Sequence, residues 1–234
     1  MKADISVHCE LTSQANLKKS SSGGTIINCV VAAFLVILVA GLTAPMVIRC
    51  PRKPDQTEAV NNARQIGLAL SDFKDQFGQY PDSTTIGKVR EQTRVDWNLG
   101  TKTSNDFFRQ LLAGGSTQSE KIFYAKVAGA RKPDDLVAGS SGLEKGECAF
   151  AYFMGAIKGS GPLRPLAITP VIPGTDRFDP KPFNHKAVML RLDNSVTSMN
   201  IDREGHVIVE GRNLMDPLHP IWDGHPPVIA WPEL

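Results

Sequence analysis

The chain has 234 residues, 41% of them hydrophobic and 21% charged, with a formal net charge of +2. A length of this order holds one sizeable core plus an extension. A charge so near neutrality offers no strong field to nucleic acid, so no nucleic-acid partner is expected.

Between Lys19 and Arg49 there is no charged residue, and Thr25 to Ile48 form a run of 24 mostly apolar residues. At about 1.5 Å per residue, a helix of that length spans the roughly 30 Å hydrocarbon layer of a membrane. A secretory signal has a shorter apolar core, of about 7 to 15 residues. Basic residues flank the run on both sides, Lys18 and Lys19 before it and Arg49, Arg52 and Lys53 after it, so they leave its orientation open. Pro51 and Pro54 follow, and a proline inside a helix removes a hydrogen bond and clashes with the preceding turn. The sequence thus predicts a long N-terminal helix that kinks or breaks near Pro51 and Pro54.

A second helix is expected at once. Asp55 and Glu58 have the spacing of a capping box. Val60, Ala63, Ile66, Gly67, Leu70, Phe73 and Phe77 recur at three- and four-residue steps, giving one apolar face. Gly78 is the expected stop, and Pro81 cannot continue the helix. Further on, "SNDFFRQLLAGG" predicts a short helix capped by Ser104, with Phe107, Phe108, Leu111 and Leu112 inward and Gly114-Gly115 ending it.

The rest reads as short strands over 121–127, 148–157, 165–172, 186–192, 195–201 and 206–210. Asp193-Asn194 and Arg203-Glu204-Gly205 sit between alternating runs and read as hairpin turns. Segments 129–146 and 158–164 carry Gly, Ser and Pro and read as exposed loops. The proline-rich "DPLHPIWDGHPPVIAWPEL" reads as a capping tail packed by Trp222 and Trp231. One helix covering a sheet of hairpins is an α+β arrangement.

The register of the opening carries a resemblance. Gly23-Gly24-Thr25-Ile26-Ile27-Asn28 after Lys18-Lys19 resembles the processing site of type IV prepilins and type II secretion pseudopilins, in which a peptidase cuts after a glycine. With the cut between Gly23 and Gly24, Pro45 falls where that family often carries a helix-loosening proline. "NNARQIGLALSDFKDQFGQYPD", Asn61 to Asp82, is similar to the segment that follows the membrane run in pseudopilins. "SNDFFRQLLAGG", "EKIFYAKV", "LEKGECAFAYFMG" and "KAVMLRLDNSV" resemble the protein G-like proteins of type II secretion in Verrucomicrobia-type bacteria. Two positions depart from the pattern: Gly24 replaces an aromatic residue and Asn28 replaces the glutamate usual at the fifth mature position.

The resemblance implies a leader at 1–23, a transmembrane and assembly helix at 24–48, a neck at 49–54 and a pilin-like head at 55–234, with the long helix packed on an antiparallel sheet. It implies other pilin or pseudopilin subunits, a prepilin peptidase and inner-membrane lipid as partners, with the head in the periplasm before entry into a fibre. Asn28 and Pro45 are the expected assembly positions. An uncleaved anchor, with Gly23 and Gly24 as flexible flank, is the alternative for this stretch.

No catalytic constellation is expected. His185, Asp193 and Ser195 lie around a predicted hairpin, but no G-x-S-x-G elbow accompanies them. Asp176, Asp179 and Asn184 offer oxygen ligands for a calcium loop, although the family's calcium motif does not map onto them; no other cofactor is expected. His206, His219, Asp223 and His225 have ligand chemistry but no helical pair spacing. The cysteines, at 9, 29, 50 and 148, form no C-x-x-C pair and read as structural. A membrane-anchored periplasmic enzyme or binding protein with a pilin-like N-terminus is the competing class, and a deep pocket in the head would favour it.

Overall fold

The computed structural model describes residues 27, 28, 30–35, 54–137, 142–155 and 160–234. The chain divides into two units, Met1–Cys50 and Pro51–Leu234. In the first, residues 27, 28 and 30–35 are helical.

The second unit opens with helix α1, Pro54–Phe77. Proline suits the first turn of a helix, where its missing N–H has no partner to lose, so Pro54 begins a helix here. Asp55 therefore lies in the first turn, where it favours the positive end of the helix dipole and pairs with Lys126 at 3.3 Å. Of the predicted face, Ala63, Ile66, Gly67, Leu70, Phe73 and Phe77 are buried and Val60 is half-buried, and Ala59 and Ala69 are buried beside them. Gly78 closes the helix with a left-handed φ of 87° and a 2.8 Å bond from its N–H to the Lys74 carbonyl. Two shorter helices follow, α2 (Thr85–Thr93) and α3 (Ser104–Ala113).

Five strands build one antiparallel sheet: β1 (Ala151–Met154), β2 (Pro165–Thr169), β3 (Lys186–Arg191), β4 (Val196–Asn200) and β7 (Val228–Ala230), in the order β4-β3-β2-β1-β7. A two-stranded ribbon of β5 (Ile208–Val209) and β6 (Arg212–Asn213) stands apart from it. The β3–β4 turn falls at Asp193-Asn194 as predicted, with Asn194 at φ 62°. Asn194 also donates from Nδ2 to Ser71 Oγ at 2.9 Å, fastening the turn to α1.

Both faces of the sheet are buried. Side chains alternate along a strand: Tyr152, Val188 and Leu190 join the core under α1 and α3, while Ala151, Phe153, Ala187 and Met189 join a second core closed by Val207, Leu214, Met215 and Trp222. Where α1 packs on β3, a β-carbon on Gly67 would lie 2.9 Å from Leu190 Cδ1.

The α+β class and the antiparallel sheet agree with the sequence. The expected pilin-like layout, a long apolar N-terminal helix running onto the sheet and kinking near Pro51 and Pro54, does not. The helix on the sheet is α1; it starts at Pro54 and is amphipathic, with Glu58, Asn61, Arg64 and Gln65 exposed. No helix among the described residues is long and apolar enough to cross a membrane.

Candidate functional site

Of the expected processing and assembly positions, Gly23, Gly24 and Pro45 lie outside the described residues. Asn28 is helical and exposed. Its neighbours Ile27, Val30, Val31, Phe34 and Leu35 are each more than half exposed. Ile27, Val30, Val31, Phe34 and Leu35 form one i, i+3, i+4, i+7, i+8 stripe, and Asn28, Ala32 and Ala33, exposed beside it, carry no charge.

The candidate catalytic and metal residues are placed otherwise. His185 precedes β3 and Asp193 follows it, so the six residues of the strand hold them roughly 20 Å apart. Asp193 Oδ1 accepts from the Ser195 N–H at 2.9 Å, and bonds to Ser195 hold this carboxyl below its ordinary range. Asp176 turns to His206 Nε2 at 3.3 Å and to Asn213 Nδ2 at 3.0 Å, whereas Asp179 caps the Lys181 N–H at 3.0 Å. Asn184, the third of the expected oxygen ligands, stands just before β3 at a left-handed φ of 55°.

His219 is buried, with Nε2 donating to the Val209 carbonyl at 2.9 Å and Nδ1 accepting from the Ile221 N–H at 3.0 Å. Both nitrogens are thereby used, and the ring is fixed as the neutral Nε2–H tautomer. Asp223 accepts from the Gly161 N–H at 2.8 Å. Cys148 is buried against Ser104 Oγ at 3.4 Å, and burial pushes its thiol up to about 11, which removes thiolate reactivity.

A feature absent from the sequence reading lies beside His219. A cavity of about 310 Å³ opens between the Gly161–Arg164 turn, β3 and the tail, with Arg164, Arg191, Glu210, His219 and Asp223 in its wall. Arg164 is buried. Its guanidinium donates to the Trp222 carbonyl at 2.8 Å and to the His225 carbonyl at 3.3 Å, and sits 5.2 Å from the Trp222 ring centroid. Burial lowers its proton affinity and Asp223 offsets the effect, but a guanidinium stays charged. The Nε atoms of Arg164 and Arg191 are both buried without a hydrogen-bond partner. The cavity is at the small end of those that take small molecules.

Comparison with protein-family models, with curated proteins and with solved structures finds no match to this chain.

Proposed function

We propose that the chain is a structural subunit of a fibre of the type IV pilus or type II secretion pseudopilus kind, held in the inner membrane by its apolar N-terminal segment before assembly, and not an enzyme. The observation that carries this reading is the exposed apolar stripe of Ile27, Val30, Val31, Phe34 and Leu35 on helical residues, lying shortly after the Gly23-Gly24 processing register. An exposed stripe of large apolar side chains with no charged residue beside it is stable only against another apolar surface. In lipid they anchor the subunit; in a fibre the same surface packs against its counterparts, so one segment does both jobs. A separately folded unit, Pro51–Leu234, then supplies the head. The occupied His219, Asp223 and Cys148 support assembly over chemistry.

Mass measurement of the protein extracted from its native membrane tests this. A chain beginning at Gly24 is the expected result, with Gly23→Ala left uncut. A chain beginning at Met1 would overturn the fibre reading.

The cavity walled by Arg164 and Arg191 supports a second reading, an anchored binding protein that receives a small anion there. An intact N-terminus together with a ligand retained by the purified protein would favour it.

A further inference from the structure

The stretch between α3, which ends at Ala113, and β1, which begins at Ala151, has one regular element among its described residues, the 3₁₀ helix Glu120–Phe123. Three carboxylates from different parts of this stretch meet. One oxygen each from Glu120, Asp134 and Glu147 lies within 4.8 Å of the others, and Glu120 and Glu147 are wholly buried.

Their hydrogen bonds leave the meeting point short of donors. Glu120 Oε1 accepts from the Leu143 N–H, while its Oε2 has no partner. Glu147 Oε2 accepts from the Glu144 N–H at 2.7 Å, while its Oε1 makes no hydrogen bond. Asp134 Oδ1 accepts from the Leu136 N–H at 2.9 Å. The nearest cation is Arg131, whose Nη2 lies 3.2 Å from Glu147 Oε1 but bonds Glu144 Oε2 at 2.6 Å, and whose Nε donates to the Lys145 carbonyl at 2.9 Å. Lys121 is taken by Asp135 at 2.7 Å. Buried carboxylate oxygens without donors are costly, and Glu120 and Glu147 each carry one, with exposed Asp134 beside them and one partly committed arginine as the nearest cation.

We propose that Glu120, Asp134 and Glu147 form a binding site for one calcium ion. The donors are all carboxylate oxygens, the preference of a hard cation, and no histidine or free thiol joins them to favour zinc. They come from three separate connections and are not arranged on one rigid element, which suits the variable coordination of calcium better than the strict octahedron of magnesium. The double positive charge offsets the gathered carboxylates. The ion joins the 3₁₀ helix, the following loop and the turn before β1, three segments that no sheet or long helix holds together. This assignment is independent of the fibre reading.

The test uses the full-length chain in detergent, stripped with a chelator and titrated with calcium chloride while heat of binding and thermal midpoint are followed. One ion per chain is expected, with a midpoint rise of about 5 to 10 °C once calcium is about 100-fold above its Kd. Asp134 is exposed, so Asp134→Asn should fold normally and still lose about tenfold or more in calcium affinity. Glu120→Gln should do the same. The double variant Asp202→Asn, Glu204→Gln, which alters the separate cluster around His206, should bind as the parent does. The site is overturned if the parent shows neither binding heat nor a midpoint shift, or if Asp134→Asn keeps full affinity, or if the double variant is the one that loses it.

Discussion

A β-carbon placed on Gly100 would lie 2.3 Å from Oδ1 of Asp106. That contact matters because Asp106 organises the start of α3. Thr103 is the cap there, its side chain accepting from the Asp106 N–H while the Asp106 carboxylate accepts from the Thr103 N–H at 3.1 Å. The same carboxylate takes the Lys102 N–H at 3.0 Å and pairs with Arg109 at 3.1 Å. Gly100→Ala should therefore displace Asp106 and cost about 1 to 2 kcal/mol, the usual value of a lost cap. Urea unfolding should show it as a lower midpoint with an unchanged slope. A midpoint equal to that of the parent would show that the loop moves aside freely.

Asn62 carries the polar link between α1 and the 3₁₀ segment. Its buried Nδ2 donates to the Lys121 carbonyl at 3.0 Å and to the Tyr124 carbonyl at 2.8 Å. Asn62→Ala removes both donors and leaves two carbonyls without them, at a cost of about 1 to 3 kcal/mol. Asn62→Asp should be worse, because a carboxylate has no N–H and would face the two carbonyl oxygens. The order parent, Ala, Asp in thermal midpoint is the expected outcome, and Asp above Ala would contradict it.

Two acidic groups give opposite pH signatures. Asp135 is held below its ordinary 3.8 by the bond from Lys121, with further bonds from Ser119 and the Glu120 N–H. A lowered carboxyl binds fewer protons when folded, so its stabilisation is present above about pH 4 and is lost as pH falls through the folded value. Glu120 is raised from 4.5, by burial first and then by Glu147 and Asp134. Its contribution is full below the ordinary value and fades as pH rises through the folded one. Asp135→Asn should reduce the loss of stability between pH 7 and pH 3. With divalent ions chelated, Glu120→Gln should raise the midpoint at pH 7. Urea midpoints of the two variants at both pH values check the signs.

How much was legible depended on whether a signal was local. The face of α1 could be read because Ala63, Ile66, Leu70, Phe73 and Phe77 repeat at the helix period and bury as one stripe. The Asp193-Asn194 hairpin was legible because the turn residues and both strands are adjacent in sequence. The start of α3 was read one residue late, at Ser104, since Thr103 and Ser104 are both capping residues and only geometry separates them. The run 121–127 has the composition of a strand but holds the 3₁₀ helix and extended chain, because Ile122 and Phe123 are both buried, with no alternation to specify a pleat. Strand β7 was hidden among prolines, its three residues too short to show a period. The carboxylates of Glu120 and Glu147 and the arginines of the cavity were not readable at all, since distant loops bring them together and nothing in either local sequence marks the meeting.

Asn28 yields the last prediction, which rests on the fibre reading. In the family this chain resembles, the fifth mature residue is usually a glutamate that meets the N-terminal amine of a neighbouring subunit in an apolar core. A buried charge is costly unless paired, so such a glutamate rewards correct register and penalises misplacement. Asn28 is neutral and stands among Ile27, Val31 and Leu35. Its carbonyl oxygen can accept from an amine, but the charge–charge term is gone. A subunit at a fibre tip has no neighbour above it, and there the loss removes an unpaired charge at little cost. The chain is therefore expected at few copies per fibre, close to one end, and Asn28→Glu should spread it along the length. Quantitative immunolabelling of isolated fibres measures both. Parent protein found evenly along the whole fibre, with a distribution unmoved by the substitution, would show that the bulk subunits of this fibre pack without the carboxylate, and would remove the case for a tip position while leaving the fibre assignment intact.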